Sequence, residues 1–291
     1  LSTTRPELLE ASSRAASEAS LLFSSHRPIA TFHLQSDAMA SSTGMPARLP
    51  NGSETGLTRS ETEPLLGRPG DVAQEEDKSA LSNLVLGTGI IAQIGIWLLA
   101  VLIWASVLTK PLILFSGHPL AQSFAVLVLV QSVLFLQPTH TSEQKRLGQR
   151  VHGLLNLVAL LALITGVTII EYNKERSHNA HFHSVHGYLG VITAIVILLQ
   201  YLVGFTMWAT PKLYGSEDNA KAIWKYHRYS GYLVLVLLLA TVNSATQTDY
   251  NKGVLKIKLW ATLTLSSLIV IGVFPRIQKQ KLGFGRPSVA L

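Results

Sequence analysis

Long apolar stretches separated by short groups of charged residues dominate the chain from residue 79 onward. Six intervals without Lys, Arg, Asp or Glu are long enough to matter, and they are 79–109, 111–142, 151–170, 177–211, 229–248 and 259–275. A helix that crosses the hydrocarbon core of a bilayer needs about 20 residues. Backbone groups in lipid must be hydrogen-bonded internally, and continuous Leu-, Val- and Ile-rich runs favour helices over barrel strands. The pattern therefore predicts an all-α fold, a six-helix transmembrane bundle.

The N-terminal part has the opposite character. Residues 1–78 are rich in Ser, Thr, Pro, Gly, Glu and Arg and show no apolar periodicity, which is typical of disorder. We expect a disordered cytosolic tail over 1–78, a membrane domain over 79–276 and a cytosolic C-terminal tail over 277–291. The sequence Glu-Thr-Glu-Pro-Leu-Leu at 61–66 fits an acidic dileucine sorting signal or a chance match. It favours a vacuolar, lysosomal or endosomal membrane, with the plasma membrane as the alternative.

Composition narrows the chemistry that the chain can support. Hydrophobic residues make up 48% and charged residues 14% of the chain, whereas soluble domains carry roughly 25% charged residues. This composition therefore disfavours an ordinary soluble enzyme. The chain contains no cysteine, which removes disulfides, iron–sulfur clusters and thiolate metal sites. Any metal must be held by His, Asp, Glu or Met.

The basic charge lies at the ends of the apolar runs. The net charge is +7, but residues 1–78 hold seven basic and eleven acidic residues, and residues 79–291 hold seventeen and six. Eleven of these seventeen basic residues lie after the second, fourth and sixth apolar runs, and six lie after the first, third and fifth. The positive-inside rule then places both termini in the cytosol. We read this charge as topology-setting and expect lipid, not nucleic acid, as the partner.

Four histidines mark successive apolar runs. They are His118, His152, His186 and His227, at intervals of 34, 34 and 41 residues. Each interval is one crossing plus one connection, so consecutive histidines alternate between the membrane faces. His118 can therefore meet His186, and His152 can meet His227. Ionisable groups in a membrane are costly unless paired or ligated.

The pairing predicts two bis-histidine haem b groups stacked across the bilayer, because neutral imidazole is a normal axial ligand of haem iron. The other interpretation of each histidine is an ordinary residue at the start of a helix or at the interface. Glycines accompany all four positions, namely Gly117, Gly153, Gly187 and Gly231. We expect them to give a flat macrocycle close access to the backbone.

These motifs resemble the cytochrome b561 family over roughly residues 80–280. The resemblance is carried by Gly117-His118-Pro119, Val151-His152-Gly153, Val185-His186-Gly187-Tyr188-Leu189-Gly190 and Tyr226-His227-Arg228-Tyr229-Ser230-Gly231. It is closest to the branch with the core domain alone. It implies a central four-helix core with two haems b that passes electrons from cytosolic ascorbate to an acceptor on the other side. It also implies that His118 and His186 ligate the non-cytosolic haem, and His152 and His227 the cytosolic one.

Charged and imidazole side chains near the haem ligands suggest donor and acceptor sites. Lys145 and Arg150 precede His152 and are our candidates for contact with an anionic donor such as ascorbate, since Arg and Lys bind enediol or carboxylate oxygens. The alternative is that they only set topology. His178, His181 and His183 precede His186 and are either a site for a ferric chelate or divalent metal or parts of a solvated loop.

The leading hypothesis is a transmembrane oxidoreductase that moves electrons from ascorbate or a similar cytosolic donor to monodehydroascorbate or a ferric chelate. A ferric reductase or NADPH oxidase type of core is disfavoured, because it needs two histidines about 13 or 14 residues apart on each ligating helix. The competing class is a non-enzymatic carrier or adaptor whose histidines handle protons or metal. Transporters, however, tend to place polar groups at mid-membrane on broken helices. A homodimer is compatible with either hypothesis.

Overall fold

The computed structural model describes residues 72–75, 78–178 and 180–282, without the side chains of residues 279 and 280. All of them belong to one compact unit, Gly56–Leu291. Most of the predicted disordered tail, the dileucine pattern at 61–66 and the last nine residues lie outside the described part.

Within that part the chain forms six helices that are long and apolar enough to cross a membrane, and it contains no strand. The all-α six-helix prediction is confirmed. The helices are α1 (Gly89–Leu108), α2 (Gly117–Leu136), α3 (Ser142–Arg176), α4 (Val185–Ala209), α5 (Glu217–Ala245) and α6 (Leu259–Val273). Short 3-10 turns precede α1 and α2 and follow α6.

Helices α3 and α5 begin about three turns before the apolar intervals that predicted them. Thr141 accepts from the backbone N–H of Gln144, and the Gln144 side chain reaches back to the backbone of Thr141, which forms a capping box at the start of α3. Ser216 caps α5 in a similar way by accepting from the Asn219 N–H. The basic residues expected in connecting loops, such as Lys145 and Lys221, are therefore helical. Intervals without charge report the membrane-embedded part of a helix and not its full length.

Helix α2 lies at the centre of the packing. It packs along α3 and against α1, while α1 packs against α6 and α4 against α5. Half of the apolar stretch of α2 is buried inside the protein, compared with 11% for α4. The buried core side chains come mainly from α1 and α2, as Ile96, Leu99, Val126 and Leu134 illustrate, and Ile269 of α6 is fully buried as well. Helices α3, α4 and α5 turn most of their apolar surface outward.

One end of this core is tied together by a buried group that we call the Arg276 cluster, consisting of Arg276, Asn83 and Gln137. Arg276, just beyond α6, is only 2% exposed and donates from Nη2 to the carbonyl oxygens of Asn83 and Leu134 at 2.7 and 3.1 Å. Asn83 donates to the Phe135 carbonyl at 3.0 Å. Gln137 donates to the Val273 carbonyl at 3.0 Å. The cluster thus joins the segment before α1 to the ends of α2 and α6.

Candidate functional site

His118 and His186 face each other across the bundle. His118 is the second residue of α2 and His186 the second residue of α4, and both side chains are half-buried. Their ring centroids are 6.2 Å apart and the ring planes are nearly perpendicular, at 82°. Two imidazoles can thus approach each other from different helices, as predicted from the alternation of the membrane faces.

Each of these two rings is oriented by a backbone carbonyl. His118 Nδ1 lies 2.9 Å from the carbonyl oxygen of Gly166 on α3, and His186 Nδ1 lies 3.0 Å from that of Thr241 on α5. A carbonyl only accepts, so each Nδ1 carries the proton and donates it. The lone pair of each ring is then on Nε2, the nitrogen that can bind a metal.

The second pair is at the other end of α2. His152 and His227 are each the eleventh residue of their helices, α3 and α5. Neither histidine lies at the start of its helix, because both helices begin before the apolar runs that the histidines mark. His152 Nδ1 lies 2.7 Å from Ser132 Oγ on α2. Ser132 is fourteen residues beyond His118, which is about 21 Å along a helix, so the pairs occupy two distinct depths.

His227 is held differently from the other three histidines. Its Nδ1 is buried and has no hydrogen-bond partner among the described residues. Helix α4 passes close by at Gly204, where an added Cβ would lie 2.8 Å from His227 Cε1. Gly204 therefore allows α4 to pack against the ring.

The glycines singled out in the sequence play several roles. A Cβ on Gly117 would lie 2.8 Å from Ile169 Cδ1, and one on Gly231 would lie 3.3 Å from Gln200 Nε2. Both glycines therefore serve contacts between helices. A Cβ on Gly187 would meet the cap of its own helix, at 3.4 Å from Ser184 Oγ, and Gly153 has no described atom within 4 Å of such a Cβ. Of the four, only Gly153 leaves room beside its histidine for a flat ligand.

The candidate donor residues are on the first turns of α3. Lys145 precedes His152 by seven residues, or about two helical turns, so the two side chains project from the same face of the helix. Arg150 is exposed and precedes His152 by two residues, which rotates it by about 200° around the helix. Next to His227, Arg228 donates from Nη1 to the Lys281 carbonyl at 2.6 Å. A basic surface thus surrounds the end of the bundle that carries His152 and His227.

The structure does not bring the histidines of the α3–α4 loop together. His181 Nδ1 is 3.1 Å from Glu171 Oε2, His183 Nδ1 is 2.8 Å from the Ala180 carbonyl, and His178 has a positive φ of 50°. All three are exposed. Across the described residues, no three His, Cys, Asp or Glu side chains converge as a metal site would require. The loop geometry does not support a site built from these three residues.

The first pair fits a metal ion with two axial imidazoles. Metal–imidazole bonds are about 2.0 Å long and the ring centroid lies about 1 Å beyond the nitrogen, so two rings on one ion have centroids about 6 Å apart. The observed 6.2 Å agrees with this value. In the second pair, His152 Nδ1 is bonded to the protein as in the first pair, whereas His227 Nδ1 has no partner among the described residues. The fold defines a polytopic helical membrane protein, and each histidine pair is a candidate bis-imidazole position.

Comparison with known proteins agrees with this class. Residues 117–251 match the family model of eukaryotic cytochrome b561. The human transmembrane ascorbate-dependent reductase CYB561 is 27% identical over 167 residues, which cover 56% of this chain and 62% of the human protein. The rat plasma membrane ascorbate-dependent reductase CYBRD1 is 29% identical over 135 residues, covering 44% and 45% of the two chains.

Residues 117–251, which contain all four histidines, are therefore similar to the cytochrome b561 family. The family implies binding of haem b. The chain spans less than two thirds of the length of these relatives.

Several residues around the histidines were not predicted from the sequence. Ser132, Asn156 and Gly204 are single small or polar residues inside apolar runs. Gly166 and Thr241 act through their backbone carbonyls, which no residue type reveals. An isolated polar residue in a membrane helix is a signal that could have identified Ser132 and Asn156.

Proposed function

We propose that the protein is a transmembrane oxidoreductase that binds two haem b groups, one between His118 and His186 and one between His152 and His227. The observation that carries the proposal is the first pair, with centroids 6.2 Å apart and each Nδ1 donating to a carbonyl oxygen. When bound, bis-imidazole haem iron supplies one-electron transfer. The four histidines hold the iron from both faces and fix the depth of each group in the bilayer.

The protein residues also account for the direction of transfer in this proposal. The excess of basic residues supports a cytosolic position for the termini and for the His152/His227 end. Ascorbate or a similar donor approaches there and gives up one electron, and Lys145 and Arg150 attract and orient its anionic oxygens. At the other end, beside His118 and His186, the electron passes to monodehydroascorbate or a ferric chelate. The relatives named as ascorbate-dependent reductases support this donor for the present chain.

The pattern of contacts favours this function over a carrier. A carrier that handles protons or metal needs the imidazoles to exchange partners during transport. Here His118, His152 and His186 are each anchored through Nδ1 to another helix. Such anchoring suits ligands that must remain stationary while only electrons move. The position of the membrane remains part of the proposal, with a vacuolar, lysosomal or endosomal membrane preferred over the plasma membrane, and a homodimer compatible with it.

A reduced-minus-oxidised visible spectrum of the purified full chain, with haem quantified per chain, tests the proposal. We expect two haems b per chain and reduction by ascorbate. His118→Ala and His152→Ala should each remove one haem and leave the other. His183→Ala, an exposed histidine outside both pairs, should retain both. A colourless protein, or a haem that survives all four ligand substitutions, would overturn the proposal and favour the carrier.

A further inference from the structure

The two histidine pairs differ in how their ring N–H groups are bonded. His118 and His186 both donate to backbone carbonyls, at 2.9 and 3.0 Å. His152 Nδ1 meets the Ser132 hydroxyl at 2.7 Å and, at the longer distance of 3.4 Å, the Ser132 carbonyl, and His227 Nδ1 has no partner among the described residues. If the two pairs hold haems as proposed, the ligands at the two depths are not equivalent.

The Ser132 hydroxyl is also shared. Asn156, one turn beyond His152 on α3, donates its side-chain amide to Ser132 Oγ at 2.7 Å and to the His152 carbonyl at 2.6 Å. The hydroxyl hydrogen of Ser132 has the His152 carbonyl as an acceptor at 3.4 Å. The oxygen therefore accepts from two donors at once when His152 donates to it. Because the oxygen is shared, its hydrogen bond to each donor is weaker.

Hydrogen bonding at Nδ1 controls how strongly an imidazole donates electrons to iron. A good acceptor raises the basicity of the ligating nitrogen, and a more basic ligand favours the oxidised iron. Second-coordination-sphere hydrogen bonding is one of the protein's main controls over haem potential. His118 and His186 have two carbonyl acceptors. His152 has the shared hydroxyl at 2.7 Å and a carbonyl only at 3.4 Å, and His227 has no acceptor in the described part of the chain.

We propose that Ser132 and Asn156 are positioning residues that limit the basicity of His152, so that the His152/His227 haem has a higher reduction potential than the His118/His186 haem. This inference rests on the proposed function. It adds a role for two residues that do not touch the iron. In this arrangement the haem nearest the proposed donor site is the first to be reduced.

The proposal predicts opposite shifts for two substitutions. Ser132→Ala removes the nearer acceptor of His152 and leaves only the Ser132 carbonyl at 3.4 Å, so the reduced-to-oxidised ratio of the His152/His227 haem at a fixed potential should rise by about tenfold, which is 59 mV for one electron. Asn156→Leu removes the competing donor and leaves Ser132 to His152 alone. The reduced-to-oxidised ratio of the His152/His227 haem should then fall by roughly threefold. A general loosening of the site would shift both variants in the same direction.

Ser266→Ala is the matched control. Ser266 is a buried serine that also accepts from an asparagine amide, that of Asn243 at 3.1 Å, but it lies between α5 and α6. The Ser266→Ala substitution should change the reduction potential of neither haem. The measurement is a spectroelectrochemical titration of the haem-loaded full chain. It is repeated in a His186→Ala background, and in His118→Ala if that variant does not fold, so that only the His152/His227 haem contributes.

The outcomes separate the two proposals. A wild-type protein with fewer than two haems would end the proposed function. Two haems, with a rise for Ser132→Ala, a fall for Asn156→Leu and no shift for Ser266→Ala, support the inference. Two haems with no shift, shifts of one sign, or a lower potential at the His152/His227 position overturn the inference and leave the proposed function in place.

Discussion

The Arg276 cluster and the histidine pairs are both polar groups in a largely apolar protein, but their atoms bond to different kinds of partner. In the Arg276 cluster the side chains donate to backbone carbonyls at the ends of other elements, such as Asn83, Leu134 and Val273. In the three anchored histidines only Nδ1 is bonded to the protein, which leaves Nε2 as a ligand. The first arrangement holds helix ends together, whereas the second orients rings for chemistry.

The two regions also differ in how closely their helices pack. Helix α1 packs closely against Arg276 and against α6, because a Cβ on Gly89 would lie 2.5 Å from Arg276 Nη1 and one on Gly95 would lie 2.9 Å from the Leu265 carbonyl. The histidines are half-buried, and they lie on α2 to α5, of which α3, α4 and α5 bury the smallest shares of their apolar stretches. Stability and cofactor binding should therefore respond to substitutions in different regions.

We expect the largest effect from Arg276→Met, which tests whether stability and cofactor binding depend on different regions. Two carbonyls, of Asn83 and Leu134, would lose their donor, and each buried unsatisfied group costs about 1–3 kcal/mol. We expect the protein to lose about 3 kcal/mol of stability in total, seen as a lower temperature of thermal unfolding in detergent. The haem content of the folded fraction should not change.

Arg150→Met provides the control for that substitution, because Arg150 is exposed and surface substitutions usually change stability by less than about 0.5 kcal/mol. If Arg276→Met released haem while the unfolding temperature stayed constant, the two regions would not be separate. Arg276 would then belong to the cofactor site.

Gly204→Ala tests the other region. The new Cβ would lie 2.8 Å from His227 Cε1, so the ring must move away from α4. We expect haem affinity at the His152/His227 position to fall by about tenfold, while unfolding of the bundle changes little. Haem titration into the haem-depleted protein measures this directly.

Gly253→Ala is a suitable comparison, because no described atom lies within 4 Å of a Cβ at Gly253. Equal haem affinity in the Gly204→Ala and Gly253→Ala proteins would show that the contact between α4 and His227 has no part in cofactor binding. A loss confined to the His118/His186 position would contradict the pairing of the histidines.

The sequence alone predicts the six helices and the order of the histidines, because membrane crossings depend on long apolar runs and on counting. It could not predict where α3 and α5 begin, since Thr141 and Ser216 act as caps outside the apolar intervals. Nor could it assign the partners of Nδ1. Those partners are backbone carbonyls and a serine from other helices, and their proximity depends on the packing of α2 against α3 and of α4 against α5.

The smallest expected effect concerns the donor surface. Lys145 shares a helix face with His152, so Lys145→Gln removes a positive charge along the path that we propose for an anionic donor. Exposed charge interactions are worth about 0.2–1 kcal/mol, so the ascorbate concentration that gives half reduction should rise by about threefold. The effect should shrink at high salt, because the Debye length falls from about 8 Å at 0.15 M to about 3 Å at 1 M.

Lys110→Gln makes the same chemical change in the exposed connection between α1 and α2, at the end that carries His118. If ascorbate is delivered at the His152/His227 end, Lys110→Gln should not change half reduction when ascorbate is supplied to that side of sealed vesicles. If instead Lys110→Gln raised the required concentration and Lys145→Gln did not, the donor would approach from the opposite face. The proposed direction of electron transfer would then have to be reversed, while both histidine pairs kept their roles as ligands.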